Sequence, residues 1–223
     1  KPIFGLPRPP GADVAPQASL IPAALDALYA WLSTGDGYGF PSGHALGTTV
    51  VFGGLAWAVR VGPRRRRFAV AAALVALVSF SRLALGVHYL VDVVAGIAVG
   101  LASLAVVLGL LDTPRAAFVV ATAIPLLGLA IVGPDPELVA AAGLCAGGTA
   151  AWLTAGDRLG SLATTRRGGA ITALVGLVVA APLLSVVGLV HLSLPVAFIG
   201  GLAGGGLVVA LPLVGDGLRK RSW

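Results

Sequence analysis

Charge is scarce in this sequence: Lys, Arg, Asp and Glu together make up 11% of 223 residues, against about a quarter in a soluble globular domain. Hydrophobic residues make up 57% of the chain and the mean hydropathy is +0.98, which excludes an ordinary soluble fold and points to lipid as solvent. The single cysteine, Cys145, lies in an apolar run and excludes an internal disulfide framework. Methionine is absent altogether and the first residue is Lys1; the expectation is a processed form or a piece of a longer protein. The proline-rich start, Lys1 to Pro10, has no apolar centre and does not read as a signal peptide. Glycine, by contrast, is abundant at 32 residues, as in membrane helices that approach one another closely.

The hydrophobic residues fall into seven runs, near 44–61, 67–85, 88–111, 115–132, 137–155, 169–189 and 194–214. A span needs about 20 residues at 1.5 Å of rise each, so the pattern predicts an all-α, polytopic transmembrane bundle of about seven spans. Ahead of them, 22–33 is too short to span and predicts an interfacial or re-entrant helix, with Trp31 and Tyr38 suited to an interfacial aromatic belt. The loop Gly35-Asp-Gly-Tyr-Gly39 follows no strand and reads as flexible. Small residues spaced by four at Gly96/Gly100, Gly143/Gly147 and Gly200/Gly204 predict helix packing faces.

Alternating seven spans puts Arg60, Arg64 to Arg67, Arg115, Arg158, Arg166, Arg167, Arg219, Lys220 and Arg221 on one side of the membrane, twelve of the 15 basic residues. By the positive-inside rule that side is cytoplasmic. The basic residues are not interleaved with aromatics on a polar surface, so the net charge of +6 reflects topology and predicts no nucleic-acid partner. Only Lys1, Arg8 and Arg82 remain on the extracytoplasmic side.

Those three cations belong to three short segments: Lys1…Arg8-Pro9, Pro41-Ser42-Gly43-His44, and Ser81-Arg82…His88…Asp92. Brought together, the cations, the Ser42 hydroxyl and the Gly43 amide match the several oxygens of a phosphate, and His44 opens a helix, where anions are favoured. His88 and Asp92 are four apart and share a helix face. The carboxylate can hold one ring nitrogen so that the other is presented as a nucleophile. A lone histidine at a helix start is more often structural; the conjunction of these residues at one membrane face favours a catalytic site. His191 reads as structural or interfacial, and Asp135 and Glu137 as residues of a solvated turn.

The motifs KPIFGLPRP, PSGH and SRLALGVHYLVD resemble, position by position, the three-part signature of the type 2 phosphatidic acid phosphatase (PAP2) superfamily, over roughly residues 1–111. The resemblance implies a phosphatase core at 1–111, followed by a four-span region at 112–223 of unknown role. It implies that Lys1, Arg8, Ser42, Gly43 and Arg82 bind phosphate, that His88 attacks phosphorus with Asp92 behind it, and that His44 protonates the leaving oxygen. It further implies no metal and no cofactor, and as substrate a lipid phosphate or diphosphate: phosphatidic acid-like, phosphatidylglycerol phosphate-like or polyprenyl diphosphate. A soluble ester is compatible too. Membrane members usually carry helices ahead of the first motif, which this sequence does not include. The alternatives are a phosphotransferase using the same site, or a non-catalytic lipid transporter or scaffold; a haloperoxidase would belong to the soluble branch. Oligomeric state is open.

Overall fold

The computed structural model describes residues 4–16, 22–162, 165–180 and 193–221. Among these the regular structure is helical, with a single isolated antiparallel bridge between Pro7 and Tyr38. The chain divides into two compact units, Lys1–Leu111 and Asp112–Trp223.

In the first unit a 3-10 turn, Ala23–Leu25, leads into α1, Asp26–Ser33. Three longer helices follow: α2, Gly43–Ala58; α3, Arg64–Ala84; and α4, Leu90–Gly109. Helix α2 packs against both α3 and α4, while α3 and α4 scarcely touch. Glycine makes the α2–α4 approach possible. A Cβ on Gly96 would lie 2.5 Å from the Ser42 carbonyl oxygen, and one on Gly100 would lie 2.8 Å from Thr49 Cβ.

The second unit contains α5, Pro114–Val132; α6, Pro136–Gly160; α7, Arg166–Val175, extended by a π turn over Gly176–Ala180; and α8, Leu194–Arg221. Thr113, Asp135 and Thr165 cap α5, α6 and α7 through their side chains. Asp135 thus has a structural task, accepting from the Leu138 amide at 3.0 Å. Helices α6 and α8 meet through reciprocal glycines: Gly143 and Gly147 abut the backbone at Phe198 and Leu202, and Gly201 and Gly205 abut Ala140 and Leu144. The α8 contact is therefore one residue on from the Gly200/Gly204 spacing, because α8 turns Gly201 and Gly205 toward α6. Helix α5 joins α6 through stacked Phe118 and Trp152 rings, 5.4 Å apart, and a Thr122–Thr149 hydroxyl bond of 2.7 Å.

Five helices, α3, α4, α5, α6 and α8, are long and apolar enough to cross a membrane. Their outward surfaces are not those of a soluble bundle: Phe80 is 67% exposed and Ile131 73%, a state suited to lipid contact. The seven predicted runs all begin as helices, but two differ from a full span. Helix α2 has 16 residues and rises about 24 Å, short of the roughly 30 Å hydrocarbon core. It stops at Ala58, earlier than the predicted 61, because Gly62 adopts φ +76° ahead of Pro63, a combination that breaks the helix. The 169–189 run is helical as far as Ala180, and its remainder lies outside the described residues. His191 does too, as does the Trp31 side chain.

Candidate active site

The third motif owes its shape to a helix stop. Helix α3 ends with Leu85 as C-cap, and Gly86 follows at φ +68°. The Gly86 amide donates to the Leu83 carbonyl at 2.9 Å and the Val87 amide to the Arg82 carbonyl at 3.2 Å. This is a Schellman motif, in which a left-handed glycine returns the chain across the helix end. The return buries Val87 and His88, 2% and 4% exposed, and α4 begins immediately beyond.

Asp92 sits in the first turn of α4 and serves two donors with one oxygen. Its Oδ2 accepts from the Tyr89 amide at 2.8 Å and lies 3.3 Å from His88 Nδ1. The first bond caps the helix; the second fixes the imidazole. Both side chains of the His88–Asp92 pair are buried, at 2% exposure each, so the carboxylate faces the ring without competing water. With Nδ1–H directed at Asp92, the lone pair of Nε2 points away. Arg8 Nη1 stands 3.2 Å from that Nε2 and 2.9 Å from the Val87 carbonyl oxygen.

The PSGH segment reaches the same place through the backbone. The Ser42 amide donates to the Asp92 carbonyl at 2.9 Å, and the fully buried Ser42 side chain caps α2 through the Ala45 amide at 3.5 Å. Gly43 and His44 form the first turn of α2, and both are exposed. Arg82, in the last turn of α3, directs Nη1 to the Leu32 carbonyl at 2.9 Å and Nε to Ser81 Oγ at 3.3 Å. Of the residues expected at the site, then, Arg8, Ser42, His88 and Asp92 form a bonded cluster, and His44 and Gly43 border it on α2. Arg82 belongs to the same end of the unit but is tied to α1. Lys1 lies outside the described residues.

A model of the PAP2 superfamily matches residues 1–116, more than half of the 223-residue chain. The chain belongs to the PAP2 superfamily. This PAP2 chain is also similar to lipid phosphate phosphatase delta of Arabidopsis thaliana, 41% identical over 70 residues. The aligned stretch covers 28% of the chain and 17% of the relative, so the chain spans only a small part of that protein's length. No solved structure matches it.

The PAP2 motifs do not hold themselves in place, and the supporting residues escaped sequence reasoning. The loop read as flexible is pinned: the Gly39 amide donates to the Leu6 carbonyl at 3.0 Å and the Gly35 amide to the Ala12 carbonyl at 2.8 Å. Arg8 Nε donates to the Asp36 carbonyl at 2.8 Å, and Phe4 meets Phe40 edge to face at 5.2 Å. A Cβ on Gly35 would lie 2.6 Å from Arg8 Nη1, and one on Gly39 would be 3.2 Å from Asp92 Oδ2. The glycines give the Arg8 side chain room beside this loop. The legible signal was glycine density next to a motif; its meaning depended on a partner segment some thirty residues away. Among the described residues, no three His, Cys, Asp or Glu side chains converge as metal ligands would.

Proposed function

We propose that this PAP2 protein is a membrane phosphatase that hydrolyses a lipid phosphate or diphosphate through a phosphohistidine on His88, without metal. The observation that carries the reading is the buried Asp92–His88 pair facing the half-buried Arg8, with Nδ1 3.3 Å from the carboxylate and Nε2 3.2 Å from a guanidinium. A ring oriented by a carboxylate on one side and facing a cation on the other is arranged to receive an anion at Nε2.

In the proposed reaction Arg8 turns Nη1 from Nε2 to a phosphate oxygen as substrate enters. Lys1, Arg82, Ser42 and the Gly43 amide complete the set of donors. The Nε2 lone pair forms the N–P bond, the bond from phosphorus to the lipid oxygen breaks, and His44 gives its proton to that oxygen. Asp92 stabilises the charge that develops on the ring. Water then attacks phosphorus, His44 takes its proton, the N–P bond breaks, and inorganic phosphate leaves with His88 restored. Catalysis is assigned to 1–111, while 112–223 contributes membrane spans. The arginine-rich α2–α3 turn lies at the other end of α2 from the site, which supports a cytoplasmic turn and an extracytoplasmic active centre.

The test is phosphate release in detergent from phosphatidic acid, phosphatidylglycerol phosphate and a polyprenyl diphosphate, with EDTA present. The expected outcome is release that survives chelation, falls about a thousandfold or more in His88→Ala, and falls about a hundredfold or more in Asp92→Asn. Substrate loss without matching phosphate would assign the site to phosphoryl transfer. No turnover of any substrate by folded protein would overturn the enzyme reading.

A further inference from the structure

The far end of the α2–α3 hairpin holds a second concentration of chemistry that the catalytic reading does not use. Arg60 ends the approach to the turn, and Arg64, Arg65, Arg66 and Arg67 open α3. No Asp or Glu occurs between Gly37 and Val91, so the hairpin supplies this cluster with no counter-ion of its own. Topology accounts for the presence of arginines here but not for the shape of the surface they line.

Two adjoining cavities share Arg67. One, of about 240 Å³, is lined by Trp57, Arg60, Arg64, Arg67 and Phe68. The other, of about 600 Å³, is an apolar cleft between α2 and α3 that includes Phe52, Leu55, Val70 and Leu74, with Arg66 and Arg67 at its turn end. Leu55 and Val70 are 51% and 53% exposed, so the cleft lies open along the hairpin. Arg64 stacks on the Phe68 ring, 5.5 Å from its centroid, which holds the guanidinium in the small cavity. Arg67 donates to the Val59 carbonyl, yet its Nε is buried and has no hydrogen-bond partner among the described residues. A buried guanidinium donor without an acceptor is uncommon in a native structure.

We propose that this is a binding site for an anionic phospholipid of the leaflet at the α2–α3 turn, separate from the catalytic centre. The headgroup phosphate would occupy the small cavity, accepting from Arg64 and, as the Arg67 side chain turns from the Val59 carbonyl to expose it, from Arg67 Nε, with one acyl chain along the cleft toward Leu74. Arginine cavity and apolar cleft in continuity match a charged head joined to a hydrocarbon tail; a soluble phosphate would use only the first. The site lies at the opposite end of α2 and α3 from His88, so it stands or falls independently of the phosphatase reading.

The experiment is native mass spectrometry of the full chain from nanodiscs of phosphatidylcholine doped with phosphatidylglycerol, with monodispersity checked for each variant. The expected result is one retained phosphatidylglycerol per chain, preferred about tenfold or more over phosphatidylcholine. Arg64→Gln/Arg67→Gln removes that preference. Arg64→Lys/Arg67→Lys, which keeps the charge that fixes topology, weakens it severalfold through loss of the planar fork. Leu55→Trp, which fills the cleft and leaves every charge, also weakens retention severalfold. Equal retention of the two lipids would overturn the proposal. So would a preference untouched by Leu55→Trp, which would mark general surface attraction, or full displacement by millimolar glycerol phosphate, which would mark a headgroup-only site.

Discussion

The two units of this chain solve opposite problems with the same small vocabulary of residues. In the second, glycine lets α6 and α8 lie backbone to backbone, and Thr122 and Thr149, at the α5–α6 contact, bond to each other and to the Phe118 carbonyl. In the first, glycine is used for what it permits beside other groups: a left-handed helix stop at Gly86, a berth for Arg8 at Gly35, and an approach of α4 to the Ser42 carbonyl at Gly96. There the polar groups converge on a histidine. Packing small residues for stability and packing them for chemistry therefore look alike in composition and differ in what the released space receives.

Substitutions can separate the two uses. Among substitutions that separate the two units, the largest effect on rate is expected at Arg8→Ala, which removes the cation beside His88 Nε2: lipid phosphate hydrolysis falls about a hundredfold, at a stability cost of about 1–2 kcal/mol for the lost bonds to the Asp36 and Val87 carbonyls. Arg8→Lys recovers only part of the loss, since lysine cannot reach Val87 and a phosphate as a fork. The reverse pattern is expected at Gly205→Leu, whose side chain would strike the Leu144 backbone. Overpacking of that kind costs about 3 kcal/mol and lowers the melting temperature by about 6–12 °C, with activity per folded molecule retained. Equal losses of activity and melting temperature in both variants would erase the distinction between the units.

Gly86→Val provides a finer test, because φ +68° disfavours a β-branched residue. Turnover is expected to fall about tenfold as His88 shifts, at a stability cost of about 1–2 kcal/mol, read by steady-state rates and thermal unfolding together. The smallest effect is expected at Asp36→Ala. Arg8 uses the Asp36 carbonyl and not its carboxylate, so the rate of phosphate release should stay within about twofold. A larger fall would show that the carboxylate itself takes part.

Much of the site was readable because its chemistry is local. The expectation that His88 and Asp92 share a helix face is corrected, since α4 begins at Leu90: the pair meets because the turn at Gly86 lays His88 against the first turn of α4, where Asp92 is held by the Tyr89 amide. The PSGH segment does announce a capped start through Ser42. The hydropathy runs located the helices for the same reason, since burial in lipid acts on every residue of a span. Less legible were the ends and the supports. Helix α2 stops short at Ala58 because Gly62 and Pro63 turn the chain, although the apolar run continues. The register of α8 on α6 falls at Gly201 and Gly205, where several adjacent glycines offer equal spacing and only the facing helix chooses among them.

The sequence by itself determined the long apolar helices, the placement of Arg64 to Arg67 at the opposite end of the α2–α3 hairpin from the PSGH segment, and the identities of the side chains in the three motifs, because periodicity, charge and residue type act within a single segment. Tertiary structure alone decided that Arg8 meets His88 across 80 positions of chain and that Arg82 is held by the Leu32 carbonyl. It also decided that the Gly35–Gly39 loop clasps the N-terminal segment. Those contacts join segments distant in sequence, and apart from the His88 ring their acceptors are backbone carbonyls, which carry the same chemistry at every residue and so leave no mark in the order of side chains.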